Sequence, residues 1–276
     1  MFSWNPRRYW ELWPYEMPLH HFPGHPQLPQ EPALQRPMRQ LRATYTLHFD
    51  AMAEADQYER AEKLTFMKRC YLLAALFTVA GQFQWLLLAG LLDKHRLFCL
   101  PGFICMVLAL AALILLTFCM RWRSHFWYVC LFSSIFVETI VLSIVLLLPE
   151  RTIVNILAAT ASSLAGLILF YLLGALLPMI VLPGIVVFSV ILIVFTLASV
   201  TVLILFIVTD QQTYHSIYFG ILFFATMPMC LFHAQIVHGR RYQLPKEEYV
   251  TCAVIIYMHH VLFFMAIYYY MWVFDW

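Results

Sequence analysis

Seven apolar stretches follow one another along the chain from residue 70 onward, and short polar segments separate them. A helix needs about 20 apolar residues to cross the roughly 30 Å of hydrocarbon in a bilayer. The stretches that reach this length are 70–92, 97–120, 126–148, 152–177, 181–209, 214–238 and 248–273. The pattern therefore predicts an all-α membrane protein with seven transmembrane helices.

The break between the fourth and fifth stretches is the weakest, because it carries no charged residue. It contains the dipeptide Leu-Pro twice, at 177–178 and at 182–183. Proline removes a backbone donor and clashes with the preceding turn of a helix. Two separate helices are therefore expected within residues 152–209.

The composition excludes a water-soluble enzyme. The chain is 63% hydrophobic and 12% charged, whereas about a quarter of the residues of a soluble domain are charged. The formal net charge of +2 gives no reason to expect a nucleic-acid partner. The seven cysteines include no CxxC pair and lie in or near apolar stretches, so we expect small apolar side chains rather than a disulfide framework.

Lysine and arginine are concentrated on one side of the predicted membrane. The tail before the first stretch, the second loop and the sixth loop together hold 14 of the 17 Lys and Arg residues. Loops rich in these residues usually face the cytosol. The N-terminus is therefore expected in the cytosol, with Trp276 on the opposite side.

Residues 1–60 differ in composition from the rest of the chain. They contain eight of the fourteen prolines, which favours extended or disordered backbone. We expect a largely disordered cytosolic tail over 1–60 and a seven-helix transmembrane domain over 61–276. Residues 50–69 are amphipathic and rich in helix formers, which predicts a short interfacial helix leading into the first span.

Ionisable side chains inside the apolar stretches are candidate functional residues, because they are costly in hydrocarbon. Glu138 is the one acid well inside a span. His233, His259 and His260 are the histidines that join it, and Arg121 closes the second span. For each, a hydrogen bond or interfacial anchor that only stabilises the bundle is the competing interpretation.

Helix geometry predicts which of these side chains can meet. His233 and His259 lie at similar depths in the last two spans, so adjacent antiparallel helices bring the two imidazoles within reach of each other. Consecutive residues of a helix point about 100° apart. At most one of His259 and His260 therefore faces His233.

The end of the chain resembles the transmembrane Bax-inhibitor-motif family, in its Lifeguard branch. The resemblance begins at Gln235, in a D-T-Q-like triplet, and continues with Leu244-Pro245-Lys246-Glu247-Glu248-Tyr249, which is similar to the branch's P-x-E-E-Y block. Arg121 and Glu138 resemble its R-(x)16-E pattern. The resemblance covers about residues 60–272. It implies six helices around a central last helix.

The resemblance also implies a function. Members act in the endoplasmic reticulum, Golgi or other endomembranes, where they regulate apoptosis and organellar calcium, and their partners include Ca²⁺ and apoptosis-regulating membrane proteins. The positions of His233 and His259 are aspartates in the family, where they form a pH-sensitive gate. The gate residues implied here are His233, His259, Arg121 and Glu138, with His260 and Gln235 as secondary candidates.

Two histidines in place of two aspartates change the expected chemistry. Ca²⁺ prefers oxygen ligands, so calcium conduction is in doubt. Proton sensing is retained, because the unperturbed pKa of histidine is about 6.5, but its sign reverses, since acid charges a histidine pair and neutralises an aspartate pair. The expectation is a pH-sensitive leak channel without a cofactor.

Two other functions stay open. The loss of both acids is compatible with a non-conducting membrane regulator that acts through protein partners, including through the Pro-rich tail. A histidine pair is also compatible with Zn²⁺ bound by His233 and His259, with Glu138 or Cys230 as a third ligand. A metal-dependent hydrolase is the less favoured version, because the chain contains neither HExxH nor GxSxG, and we expect no enzymatic activity.

Overall fold

The structure is a computed structural model. It describes residues 35–92, 98–118, 125–148, 150, 152–178, 180–209, 211–241 and 244–274, with side chains from residue 60 onward except 117, 118 and 207. The statements below concern these residues. Arg121 and the proline-rich segment 1–34 lie outside them.

The described residues contain seven helices long and apolar enough to cross a membrane. This confirms the predicted fold class. The helices are α1 Gln35–Leu91, α2 Cys99–Phe118, α3 Phe126–Leu147, α4 Ile153–Leu176, α5 Ile185–Thr209, α6 Gln212–Val237 and α7 Tyr249–Val273. The 3₁₀ turn Lys246–Glu248 precedes α7.

The uncharged Leu-Pro segment separates two helices, as predicted. Helix α4 ends at Leu176 and α5 begins at Ile185. Proline also sets the start of the last helix, because Pro245 precedes the 3₁₀ turn at a backbone ψ of 145°. The regular α-helix consequently begins at Tyr249, one residue after the start of the predicted stretch 248–273.

The chain divides into two units, Met1–Ala55 and Asp56–Trp276. In the first unit the described backbone is helical from Gln35, within the segment for which the prolines predict extended or disordered backbone. Residues 50–69, for which a short interfacial helix is predicted, lie within α1. The second unit contains all seven apolar spans, and the rest of the description concerns it.

Helix α7 is the most buried element of the second unit. In its apolar span 67% of the residues are buried, against 6% in the span of α5. A helix that is apolar on all sides is suited to such a position. Helix α7 packs against α3, α4 and α6, and against α1 through the stacked rings of Trp85 and Phe264. Helix α2 packs on α3, and α5 packs on α6.

A glycine allows α4 and α6 to approach closely. A Cβ atom added at Gly174 would lie 2.6 Å from the carbonyl oxygen of Leu231 and 2.8 Å from the Cβ of Ala234. Small residues at such crossings let helix backbones come together in membranes. The crossing lies one turn from Tyr171 on α4 and beside His233 on α6, so it determines how close these two side chains come.

Candidate functional site

The two histidines predicted to meet are joined by a tyrosine. The Tyr171 hydroxyl oxygen lies 2.8 Å from Nδ1 of His233 and 2.9 Å from Nδ1 of His259. The two imidazole centroids are 5.6 Å apart. We call these three residues, one each from α4, α6 and α7, the His–Tyr–His junction. All three side chains are buried, and His259 is only 1% exposed.

The local sequences explain why the three side chains converge. Tyr171 and Gly174 share a face of α4, because residues three apart on a helix are neighbours. Gly174 lies against Ala234, the residue after His233, so the close crossing of α4 and α6 brings the tyrosine to the histidine. Helix α7 then completes the junction with His259, at the depth that the helical rise predicts.

The shared hydroxyl restricts the tautomers of the two histidines. A tyrosine O–H has one hydrogen to donate, and its oxygen can also accept. One imidazole therefore carries its hydrogen on Nδ1 and donates to the Tyr171 oxygen, while the other accepts the Tyr171 hydrogen at Nδ1. The result is a chain of two hydrogen bonds with one direction, from N–H to O–H to N, which links three helices.

One nitrogen of the junction makes no hydrogen bond of ordinary length among the described residues. It is Nε2 of His233, which is buried, and the thiol of Cys252 is a further side chain that interacts with this histidine. An unsatisfied buried N–H donor is costly. A buried acceptor atom without a hydrogen bond is more readily tolerated. The arrangement favours the Nδ1–H form of His233, which donates to Tyr171, and assigns to His259 the acceptor role.

Tyr71 and His238 extend the polar chain toward one end of the bundle. The ring of Tyr71 packs edge-on against Tyr171 with centroids 6.2 Å apart, and its hydroxyl lies 3.1 Å from Nε2 of His238. His238 caps the end of α6. Burial lowers the pKa of His238 below its ordinary value, and the positive charges of Arg240 and Lys63 lower it further.

His260 belongs to a separate hydrogen-bond network. The Gln82 amide donates to Nε2 of His260 at 3.0 Å. Nδ1 of His260 must then carry the ring hydrogen, which it donates to the Ser163 hydroxyl oxygen 3.3 Å away. Thr160 completes the network by donating to the Gln82 oxygen. Both ring nitrogens are satisfied, so this histidine stabilises the packing of α1, α4 and α7 and does not face His233.

Gln235 also lies away from the junction and connects two loops. Its amide nitrogen donates to the carbonyl oxygen of Leu177 at 3.2 Å, and its oxygen accepts from Nε of Arg241 at 2.6 Å. Arg241 donates in addition to the carbonyl oxygens of Leu182 and Pro183. The predicted secondary gate residue therefore holds the segment after α4 against the segment after α6.

Glu138 faces away from the bundle. It is exposed on α3, and the Gln84 amide donates to both of its carboxylate oxygens, at 3.0 and 2.9 Å. The described hydrogen bonds of Glu138 therefore join α3 to α1 and do not involve the histidine pair. The sequence could not reveal this, because apolar residues occur on every face of α3 and their pattern does not distinguish the inward side.

The described residues include no group of three or more His, Cys, Asp or Glu side chains able to hold a metal ion. The alternative of a zinc site, with Glu138 or Cys230 as the third ligand to His233 and His259, finds no such group of ligands among these residues. The other candidate for the gate, Arg121, lies outside the described residues.

Sequence reasoning missed Tyr171, Tyr71 and His238. Tyr71 and Tyr171 lie in apolar stretches, where a tyrosine is usually interpreted as an aromatic packing residue. A buried tyrosine hydroxyl nevertheless needs a hydrogen-bond partner, so tyrosines in the spans were a usable signal. The register that pairs α4 with α6 and α7 was still required to connect them.

Comparison with known proteins returns no match to a family model, a curated protein or a solved structure. The fold and the site define a seven-helix membrane protein with a buried His–Tyr–His junction. Membership of the Bax-inhibitor-motif family stays a prediction from the residues quoted above.

Proposed function

We propose that this protein is a Bax-inhibitor-like ion-leak protein of an endomembrane, with its N-terminus in the cytosol, and that the His–Tyr–His junction is its pH-sensitive gate. In this role it regulates organellar ion balance and apoptosis. The observation that carries the proposal is a single hydroxyl bonded to two imidazoles on three helices.

The count of hydrogens explains how acid would act. In the neutral junction, two contacts use two hydrogens, one from Tyr171 and one from an imidazole. A proton added at the accepting Nδ1 gives three hydrogens for the same two contacts, so the hydroxyl hydrogen must turn away while the oxygen accepts from both Nδ1–H groups. The junction then holds a positive charge in a buried site, which is unfavourable without a counter-ion.

The buried charge and the displaced hydroxyl hydrogen would weaken the attachment of α4 to α6 and α7. The described titratable side chains near the junction are those of Cys70, Tyr71, Cys230 and Cys252, with Glu248 acting on Cys252. Since a positive charge in this buried site is unfavourable, we propose that acid opens the pathway.

The conducted ion follows from the same chemistry. Imidazole nitrogens are poor ligands for Ca²⁺, which prefers carboxylate and carbonyl oxygens. We therefore propose a leak of monovalent cations or protons rather than a calcium-selective pore. Replacing His233 and His259 together by aspartate should produce calcium flux.

Flux through purified protein in liposomes tests the proposal. Wild-type protein should leak K⁺ or H⁺ faster at pH 5.5 than at pH 7.5, and His259→Gln should abolish this pH dependence. His260→Gln is the matched control, because His260 is the next residue of the same helix and is equally buried. The proposal fails if wild-type protein shows no acid-stimulated flux, or if the His260→Gln variant loses it to the same extent.

A second candidate is a non-conducting regulator that keeps the fold and acts through partner membrane proteins. The observation that favours it is the tight closure of the junction, in which all three side chains are at least 93% buried. The test replaces Tyr171, His233 and His259 together. A normal effect of this variant on cell survival would support the regulator over the channel.

A further inference from the structure

An acidic side chain faces out of the bundle near the middle of a membrane span. Glu138 is the thirteenth residue of the 22-residue helix α3, about 18 Å from its start at 1.5 Å per residue. Its neighbours on the same face, Leu131, Ile135 and Leu142, are exposed large hydrophobic residues. The surrounding surface is therefore one that meets lipid or another transmembrane helix.

The described hydrogen bonds of this carboxylate come from a neutral side chain. Gln84 of α1 donates to both of its oxygens, which orients the carboxylate at the seam between α1 and α3. An amide supplies hydrogens but no positive charge. Charged side chains at this depth nearly always pair with another group or face the interior of a bundle, and the described hydrogen bonds of Glu138 come from a neutral amide.

We propose that the seam at Gln84 and Glu138 binds a transmembrane helix of a partner protein that carries a lysine or arginine near its midpoint. Charge complementarity identifies this occupant, because a cation at the same depth would pair with a carboxylate already oriented by its amide. Ser134 lies one turn before Glu138 on the exposed face, and small residues allow a helix to approach closely.

A second copy of this chain is a poorer occupant. The lysines and arginines within its described spans lie near the helix ends, at Arg60, Lys63, Lys68, Arg69 and Lys246. A second chain would therefore offer Glu138 either apolar residues or another Glu138. Acyl chains offer no polar group at this depth at all.

Energy transfer between labelled full-length protein and synthetic transmembrane peptides in liposomes tests the proposal. The peptides are leucine-alanine helices that differ at one central residue, lysine or leucine, and a third peptide carries its lysine near one end. Wild-type protein should bind the central-lysine peptide at least ten-fold more tightly than the other two. The Glu138→Gln variant, which keeps the shape of the side chain, should bind all three equally.

Several results would overturn the proposal. One is equal binding of the central-lysine and central-leucine peptides by wild-type protein, which would indicate that lipid alone covers the seam. Another is an unchanged preference in the Glu138→Gln variant. A third is self-association of the protein that depends on Glu138 and is not competed by the central-lysine peptide, which would identify a second copy as the occupant.

Discussion

Replacing Tyr171 by phenylalanine removes the hydroxyl of the His–Tyr–His junction and leaves the ring in place. The variant loses two hydrogen bonds, to Nδ1 of His233 and to Nδ1 of His259. One of these nitrogens carries a hydrogen, which then has no acceptor in a buried position. The other loses the donor that satisfied its lone pair.

The expected loss of stability follows from these contacts. Hydrogen bonds between transmembrane helices contribute on average about 0.6 kcal/mol each and at most about 1.7 kcal/mol. A buried donor left without a partner costs a further 1 to 3 kcal/mol, roughly. Partial relaxation of the imidazoles offsets some of this, so we expect Tyr171→Phe to lower the free energy of unfolding by about 2 kcal/mol.

Reversible unfolding in mixed micelles of increasing dodecyl sulfate content measures this difference. The matched control is Tyr71→Phe, which removes one contact with the half-buried His238 and should cost less. The measurement should be repeated from pH 8 to pH 5. Because an added proton displaces the hydroxyl hydrogen from the junction, the difference between Tyr171→Phe and wild type should change between pH 8 and pH 5.

Two results would refute the reasoning. A Tyr171→Phe variant as stable as wild type at pH 8 would mean that the hydroxyl does not join the helices. A difference in stability that stays constant down to pH 5 would mean that the junction does not respond to protonation, and the proposed gate would lose its physical basis.

Three further predictions concern the surroundings of the junction. Gly174→Val should separate α4 from α6 and strongly reduce thermal stability. Gly166→Val should have little effect, since a Cβ atom there meets nothing within 4 Å. Thermal aggregation assays in detergent compare the two variants. Arg240→Gln should raise the pKa of His238, because the substitution removes one of the positive charges that lower this pKa. NMR titration of the labelled histidine measures the shift. An unchanged or lower pKa would contradict the assigned role of Arg240. Gln235→Leu should expose the loop after α6 to trypsin, because the loop loses the amide oxygen that accepts a hydrogen bond from the Arg241 guanidinium. An unchanged cleavage rate would show that the amide is dispensable.

The fold was predictable because the bilayer sets one dominant requirement. A span must be apolar over about 20 residues, and the chain meets this requirement seven times with charged or proline-containing breaks. Helix ends were less predictable, since they depend on local backbone geometry. Pro245 illustrates this, because a 3₁₀ turn lies between this proline and the first residue of α7.

The site was predictable only in part. Depth along two adjacent helices was enough to expect His233 near His259, and the 100° rotation per residue was enough to expect His260 elsewhere. The side of α3 on which Glu138 lies was not predictable, because a helix that is apolar all round gives no periodic signal. Tyr171 required knowledge of which helices cross, and that depends on the close approach at Gly174.

The tyrosine also explains why histidines and aspartates at positions 233 and 259 would respond oppositely to acid. An ionised aspartate can only accept hydrogen bonds, and Tyr171 has one hydrogen to donate. Two aspartates would therefore leave one carboxylate without a donor at high pH, where a cation or an added proton would fill the place. Two neutral imidazoles already supply the second hydrogen themselves, so the junction is complete at high pH and an added proton disrupts it. If the double aspartate variant conducts, acid should reduce its flux, whereas acid should increase the flux of the wild type, and equal signs would contradict this account of the junction.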